Sequence, residues 1–461
     1  MEKRKWPALL ALDLLYALAY VGPLAIFLLM LWPTNPQILR ISRTMAITIS
    51  TFCVLTAVFS RIYGGFHIGR QKSRPIIYQM SLSVFLTDLI TYLQLQIMNV
   101  NANNNQSLEF FSVDFLLLLG ALVIQILAIT AFTYLGNYFY FSINPPKKCC
   151  VVTANDGDRE AICSKIRIFH KQFVIRDCVN CTSRQLHEKI QQNDTIILFH
   201  LPARENQEII EYCYKCQKEI YFDLSIASVL AQKSGSFLLD DVVMTAHTRN
   251  GLNLRQRFFK RTLDLFCASV GLVICSPLML ATAIAIKLDD GGSVFYKQKR
   301  MTRGDKVFEI YKFRTMREAA AAVEYSAVKD DDRITRVGAV LRRFRIDELP
   351  QLINILVGDM SVVGPRPEML TNFNEYVKNM PEYQYRCRVK AGLTGYAQIS
   401  GKYNTSPRDK LMMDISYIEE YSLWLDIKLI LKTLTVFFKQ DSTEAFVSAP
   451  AVGEEEERKD A

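Results

Sequence analysis

Residues 262–288 read TLDLFCASVGLVICSPLMLATAIAIKL, and how this run meets a bilayer decides the arrangement of everything around it. At 1.5 Å per residue, a straight helix of that length crosses a hydrocarbon core. Its middle, Ile274-Cys275-Ser276-Pro277-Leu278, argues against crossing. Proline removes a helix hydrogen bond and bends the chain, and the Ser276 hydroxyl can satisfy a freed carbonyl. The charges point the same way. Arg255, Arg257, Lys260 and Arg261 precede the run, and Lys287, Lys297, Lys299, Arg300 and Arg303 follow it. Lys and Arg mark cytoplasmic flanks, so both ends belong on one face. The helix is expected to enter, bend at Ser276-Pro277 and return.

Upstream, four further apolar stretches run roughly over 7–32, 45–60, 77–98 and 110–142. Between Ile77 and Ser142 there is no Lys or Arg, only Asp88, Glu109 and Asp114. Basic residues gather at Lys3, Arg4 and Lys5, at Arg61, Arg70, Lys72 and Arg74, and at Lys147 and Lys148, while the loop Asn99–Ser107 is polar and free of them. Arg40 and Arg43 are the exceptions on the outer side. The pattern predicts four spans, the N-terminus inside, and everything after residue 145 in the cytoplasm. Met1–Lys5 leads into a span without a small-residue cleavage site, which reads as an anchor. Asp13 and Asp88 fall inside spans, but without a second polar helix face they do not argue for transport.

Composition agrees with a chain embedded only in part. Of 461 residues, 50% are hydrophobic and 22% charged, with mean hydropathy +0.09. That excludes both a disordered chain and a protein built wholly of spans. A net charge of +9 favours anionic partners. Because the basic residues flank apolar segments, membrane lipid is the expected partner and nucleic acid is not. The scattered cysteines exclude a disulfide scaffold.

After Pro145-Pro146 short apolar runs alternate with amphipathic helices. Strands are predicted at Cys149–Val152, Phe173–Arg176, Thr195–His200 and Ile220–Phe222, with helices between them, which is the pattern of a parallel βαβ sheet. The turn after the first strand, Thr153–Asp158, carries one glycine where a dinucleotide fingerprint needs three. A regulatory or dimerising module is therefore expected, with a homodimer as its natural assembly. The pairs Cys178/Cys181 and Cys213/Cys216 have zinc-like spacing, yet the second lies inside a predicted helix, so core packing is the simpler reading.

The chemistry concentrates further on. Asp347-Glu348-Leu349-Pro350-Gln351 opens an apolar helical run, with Asp347 at the expected N-cap and Pro350 in the first turn. Asp347 either caps that helix or works on phosphorus. A carboxylate pair suits phosphoryl chemistry, one group attacking while its neighbour holds Mg²⁺. Arg342, Arg343, Arg345 and Arg366 are charged to neutralise a diphosphate.

From about Arg257 to Lys439 the chain resembles the bacterial sugar transferase domain of monotopic polyprenol phosphate phosphoglycosyl transferases. The matching elements are Ser276-Pro277, Tyr311–Met316, Asp331–Gly338, Asp347–Gln351, Gly358–Pro367 and Gly392-Leu393-Thr394-Gly395. Where that family usually has Pro before and Trp after the last motif, this chain has Ala391 and Tyr396. The whole chain is similar to large members that initiate exopolysaccharide, capsule or O-antigen synthesis.

The resemblance implies a transfer of hexose-1-phosphate from a UDP-hexose to undecaprenyl phosphate. Asp347 would attack the β-phosphate and release UMP, and Glu348 would ligate Mg²⁺. Arg366 and Arg342 would hold phosphates, with Lys312 and Arg314 as further candidates. The expected domains are a four-span helical region at 1–145, a Rossmann-like α/β module at 146–245 and a mainly helical catalytic domain with the re-entrant helix at 246–441. A disordered acidic tail follows at 442–461. Leu423–Phe438 reads as a helix lying along the interface or in the core. The expected location is the bacterial cytoplasmic membrane, multi-pass, with catalysis on the cytoplasmic face. Two other readings are a membrane glycosyltransferase, which would release UDP, and a scaffold without activity.

Overall fold

The computed structural model describes residues 6–69, 71–98, 113–233, 236–239, 242–245, 252–317, 333–401 and 405–436. The loop 99–107, Arg70, the dipeptide Asp331-Asp332 and the acidic tail lie outside them. The four apolar stretches are helices α1 (Trp6–Leu31), α2 (Arg43–Tyr63), α3 (Ser73–Met98) and α4 (Val113–Ile143). All four are long and apolar enough to cross a membrane. Ser42 caps α2 by accepting from Met45 N–H, and Gly64 ends it at φ 121°. The interior of the bundle is not wholly apolar. Buried Asp88 accepts from Gln125 Nε2 (3.3 Å), which also donates to Pro23 O (2.9 Å).

A parallel sheet follows: β1 (Lys147–Thr153), α5 (Asp156–Arg167), β2 (Phe173–Asn180), α6 (Leu186–Gln192), β3 (Thr195–Phe199), α7 (Ala203–Lys215) and β4 (Glu219–Phe222). The strand order is β2-β1-β3-β4, every pairing parallel. The buried run Cys149–Thr153 is apolar on both faces because helices cover both. Cys213 is buried in the core beside Val152, and Cys178 Sγ lies 3.6 Å from Cys163 Sγ.

The chain forms two compact units, Met1–Asp223 and Leu224–Ala461. The second opens with α8 (Ile226–Lys233), packed on a later helix, and a hairpin of β5 (Ser236–Leu239) and β6 (Val242–Thr245). Then comes the deciding run, as α9 (Leu254–Asp290). Its ends are sharply specified. Asn253 and Gln256 form a reciprocal capping box, and Gly291 closes it in the left-handed region at φ 71°. The helix continues through Ser276-Pro277. Pro277 offers no N–H to Val273 O, and Ser276 Oγ donates to that carbonyl at 2.8 Å instead.

Next are the antiparallel pair β7 (Phe295–Thr302) and β8 (Lys306–Phe313), then α10 (Arg336–Arg343) and α11 (Gln351–Val357). After these come β9 (Ser361–Val363), α12 (Leu370–Asn379), β10 (Gly392–Thr394), α13 (Tyr396–Ser400), α14 (Pro407–Glu419) and α15 (Leu423–Val436). The core gathers Ala268 of α9, Phe308 and Ile310 of β8, Leu352 and Ile355 of α11, Val362 and Val363 of β9, and Leu429 of α15. Helix α15 thus buries one face, while Trp424 at its start stays half exposed.

Lys260, Arg261 and Asp264 correct one reading of the sequence. Lys260 and Arg261 look like membrane-flanking charges, yet Lys260 is only 6% exposed. It donates to Asp426 Oδ2 (2.7 Å), Tyr417 Oη (3.1 Å) and Val363 O (2.9 Å). Arg261 donates to Ile355 O (2.6 Å) and Leu356 O (2.7 Å), carbonyls left open where α11 ends. Asp264 accepts from Val362 N–H (2.8 Å) and Ser361 Oγ (2.9 Å). Buried charges persist when paired or hydrogen-bonded: Lys260 is paired with Asp426, and Arg261 and Asp264 are held by hydrogen bonds.

Candidate active site

Alternation along β7 and β8 turns Gln298 and Arg300, and Phe308, Ile310 and Lys312, toward the interior. Buried Asn354 on α11 clamps this surface. Its Oδ1 accepts from Tyr311 N–H (2.9 Å) and its Nδ2 donates to Glu309 O (2.7 Å). The clamp fixes the strand one residue from Lys312, whose ammonium lies 3.3 Å from Glu348 Oε1.

Asp347 and Glu348 occupy a single 3₁₀ turn, Ile346–Glu348, between α10 and α11. This corrects the expected N-cap: the α-helix begins at Gln351, Pro350 takes the capping position, and Asp347 caps nothing. The cause is local. Arg345 adopts left-handed backbone at φ 55°, a conformation that costs a non-glycine residue about 1 kcal/mol or more. The chain beyond it winds with short bonds, Glu348 N–H to Arg345 O (3.3 Å) and Leu349 N–H to Ile346 O (3.1 Å).

The two carboxylates meet different surroundings. Glu348 accepts from Arg366 Nη2 at 2.8 Å as well as from Lys312. Burial works to raise its pKa, but Arg366 and Lys312 outweigh it and hold Glu348 well below the usual carboxylate range. Asp347 makes no side-chain hydrogen bond or ion pair among the described residues. Burial raises its pKa; Lys312 opposes that, and the neighbouring Glu348 charge adds to it. Burial likewise lowers Lys312 against the pull of Glu348.

Arg366 is delivered by a crossing of two backbones. Gly364 N–H donates to Thr394 O (2.8 Å) and Gly392 N–H to Pro365 O (2.8 Å). A Cβ on Gly392 would lie 2.0 Å from Gly364 N, and one on Gly395 2.2 Å from Gly364 O. Only glycine allows that approach. Ala391, in place of the family's usual proline, donates its N–H to Thr302 Oγ1 (3.2 Å), a bond proline cannot make. Beneath the strap, buried Arg386 donates to Arg366 O (3.0 Å) and pairs with Asp414 (2.8 Å).

Of the other residues singled out, Arg342 donates from Nε to Thr315 Oγ1 (2.9 Å) and is close enough to favour ionised Asp347. Arg314 is buried against Gly292, in the turn after α9. Arg343 is exposed. Three contributors were missed: Arg300, Asn354 and Arg386. Arg300 lines a small cleft of about 20 Å³ with Lys312, Glu348 and Arg366. Its pKa is lowered to about 10 by burial and by Arg366. The strand alternation that turns Lys312 inward also turns Arg300 inward, and a lone amide among Leu352, Ile353, Ile355 and Leu356 marks Asn354.

Mg²⁺ was expected at Glu348, and the donor chemistry fits. Mg²⁺ is commonly held by one or two carboxylates, with phosphate and water completing its shell. Asp347 and Glu348 offer such oxygens. Among the described residues no three His, Cys, Asp or Glu converge.

Residues 255–440 match the family described as bacterial sugar transferase. A UDP-N-acetylgalactosamine-undecaprenyl-phosphate N-acetylgalactosaminephosphotransferase of Aeromonas hydrophila is 43% identical over 181 residues, 38% of this chain and 43% of that protein. A UDP-glucose:undecaprenyl-phosphate glucose-1-phosphate transferase of Caulobacter vibrioides is 42% identical over 190 residues, 40% of this chain and 71% of that one. The exopolysaccharide production protein PSS of Rhizobium leguminosarum bv. phaseoli is 40% identical over 185 residues, 38% of this chain and 92% of that protein. The match therefore spans less than half of the Aeromonas protein but nearly all of the Rhizobium one. With the carboxylate pair, the Gly-Pro-Arg-Pro strap and this breadth of identity together, the chain belongs to the bacterial sugar transferase family.

Proposed function

We propose that this protein transfers a hexose-1-phosphate from a UDP-sugar to undecaprenyl phosphate, opening exopolysaccharide, capsule or O-antigen synthesis. The observation that carries this reading is the unequal treatment of two adjacent carboxylates: Glu348 is tied to Arg366 and Lys312, and Asp347 has no hydrogen-bond or ion-pair partner among the described residues. An Asp347 oxygen attacks the β-phosphorus of the donor. The bond to the bridging oxygen breaks, UMP leaves with that electron pair, and an aspartyl phosphosugar remains. A phosphate oxygen of undecaprenyl phosphate then attacks the same phosphorus and frees Asp347. Arg366, Arg342 and Lys312 offset the phosphate charge. Mg²⁺ bound at Glu348 would neutralise part of the diphosphate's charge.

The membrane arrangement is inferred on similar grounds. Helix α9 is 37 residues long, about 55 Å if straight. Its first half packs through Ala268 and Gly271 on the core, and its second half through Met279 and Ile286 beside Phe313 and Leu341. Val273, Ile274 and Leu280 between them are exposed. One folded domain holding both ends of an apolar helix favours a re-entrant element over a span. With α1–α4 as spans, the protein is a multi-pass protein of the bacterial cytoplasmic membrane, catalysis facing the cytoplasm. The α/β module is assigned to assembly or regulation, including a homodimer.

The test is a panel of UDP-sugars with undecaprenyl phosphate, scored for nucleotide product. UMP is expected with one of them; release of UDP identifies a glycosyltransferase, and no product with any donor supports a scaffold.

A further inference from the structure

The helices of the first unit pack unevenly. Helix α1 lies against α4, α4 against α3 and α3 against α2, and the α1–α2 side holds a cleft of about 570 Å³. Val21 and Leu24 line one wall, Phe52 and Ala57 the other, and Arg61 and His67 stand at one end. The far end is closed by the ring pair Phe27–Phe52, centroids 5.4 Å apart. The charged end is shaped by a Gly64-Gly65 turn, both at positive φ, which lets Phe66 N–H donate to Tyr20 Oη (3.1 Å). A Cβ at Gly65 would lie 2.8 Å from that oxygen. The Arg61 and His67 side chains are exposed and make no hydrogen bond or ion pair among the described residues.

We propose that this cleft binds an anionic glycerophospholipid, its phosphate between Arg61 and His67 and one acyl chain against Val21, Leu24 and Phe52. A cationic guanidinium and an imidazole at the mouth of an apolar cleft, neither with a side-chain partner among the described residues, are complementary to a phosphate on a hydrocarbon chain. Depth selects the chain. From Phe52 to Arg61 the helix rises about 14 Å, close to half of a ~30 Å hydrocarbon core. That is the reach of one fatty acyl chain from headgroup to midplane. A polyprenyl chain, several times longer, would have to leave the cleft at Phe52. The cleft lies in the first unit, and the proposal does not depend on the transfer reaction.

The test uses the full-length protein in phosphatidylcholine nanodiscs with a minor fraction of phosphatidylglycerol carrying a diazirine at its acyl terminus. After irradiation, label should concentrate on peptides holding Val21–Leu24 and Phe52–Ala57. Arg61→Gln should lower it about five-fold, the equivalent of ~1 kcal/mol for one surface cation. Ala57→Phe should abolish it by filling the cleft. Should that variant fail to fold, Arg61→Gln carries the test, because its side chain makes no hydrogen bond or ion pair among the described residues. Label spread evenly over the four helices, label indifferent to Arg61→Gln, or displacement by equimolar polyprenyl phosphate but not by unlabelled phosphatidylglycerol would each overturn the proposal.

Discussion

At the scale of single side chains, the site separates two identical functional groups by their neighbours. Asp347→Asn keeps the side chain's shape and replaces the proposed attacking carboxylate with a weakly nucleophilic amide. Turnover should fall by about 10³-fold or more, and the intact mass should gain no phosphosugar on incubation with donor. Glu348→Gln should also be inactive, with Arg366 and Lys312 left facing each other unneutralised. An adduct of unchanged yield in Asp347→Asn would sink Asp347 as the nucleophile. The titrations give a second expectation. Asp347 must be ionised to attack, and burial raises its pKa above the ordinary value while Lys312 pulls it down. Activity should therefore rise with pH through that titration and level off. Lys312→Gln removes a lowering influence, so the acid limb of kcat/KM should move to higher pH; a limb that stays or moves lower contradicts this account. That Asp347, Glu348 and Arg366 belong together was legible because charge beside apolar sequence is conspicuous. Arg386 was not, because its role depends on Asp414 and the strap carbonyl, both remote in sequence.

At the scale of elements, short apolar runs between amphipathic helices located the strands and helices of the α/β module to within a few residues, since the central strands are buried on both faces. The 3₁₀ turn at Ile346–Glu348 was missed because one residue, Arg345 at positive φ, delays the helix. No propensity argument anticipates a left-handed arginine. The glycine motifs became intelligible only as a pair. Gly358–Pro367 and Gly392–Gly395 are conspicuous singly, but their reason is the contact of one backbone with the other. Gly392→Ala places a methyl group 2.0 Å from Gly364 N. It should destabilise the second unit by about 3 kcal/mol, read as a lower midpoint of thermal unfolding in detergent. Ala391→Pro removes one buried hydrogen bond to Thr302 and should cost about 1 kcal/mol by the same measurement.

At the scale of the whole molecule, the two ends of α9 set the topology. Arg257 and Lys297 are both exposed and flank the apolar run. Single cysteines there, in a background without native cysteines, should both resist an impermeant thiol reagent in intact cells and react in inverted vesicles; labelling of position 297 from outside would refute the re-entrant arrangement. Lys260, an obvious choice from sequence alone, is unsuitable because it is buried against Asp426. That ion pair has a consequence in time. Its partners are 166 positions apart. At about 5–20 residues per second, roughly ten to thirty seconds of synthesis separate the emergence of Lys260 from that of Asp426. Throughout that interval the core position of Lys260 is incomplete and the nascent chain presents Lys260 as a free cation beside the apolar run, while Arg261 is free for the shorter time until Ile355 and Leu356, 94 and 95 positions on, have emerged. In the re-entrant arrangement proposed above, these charges hold the helix to the cytoplasmic side while the chain is being made, Arg261 then being taken up by the end of α11 and Lys260 withdrawn into the interior when α15 arrives.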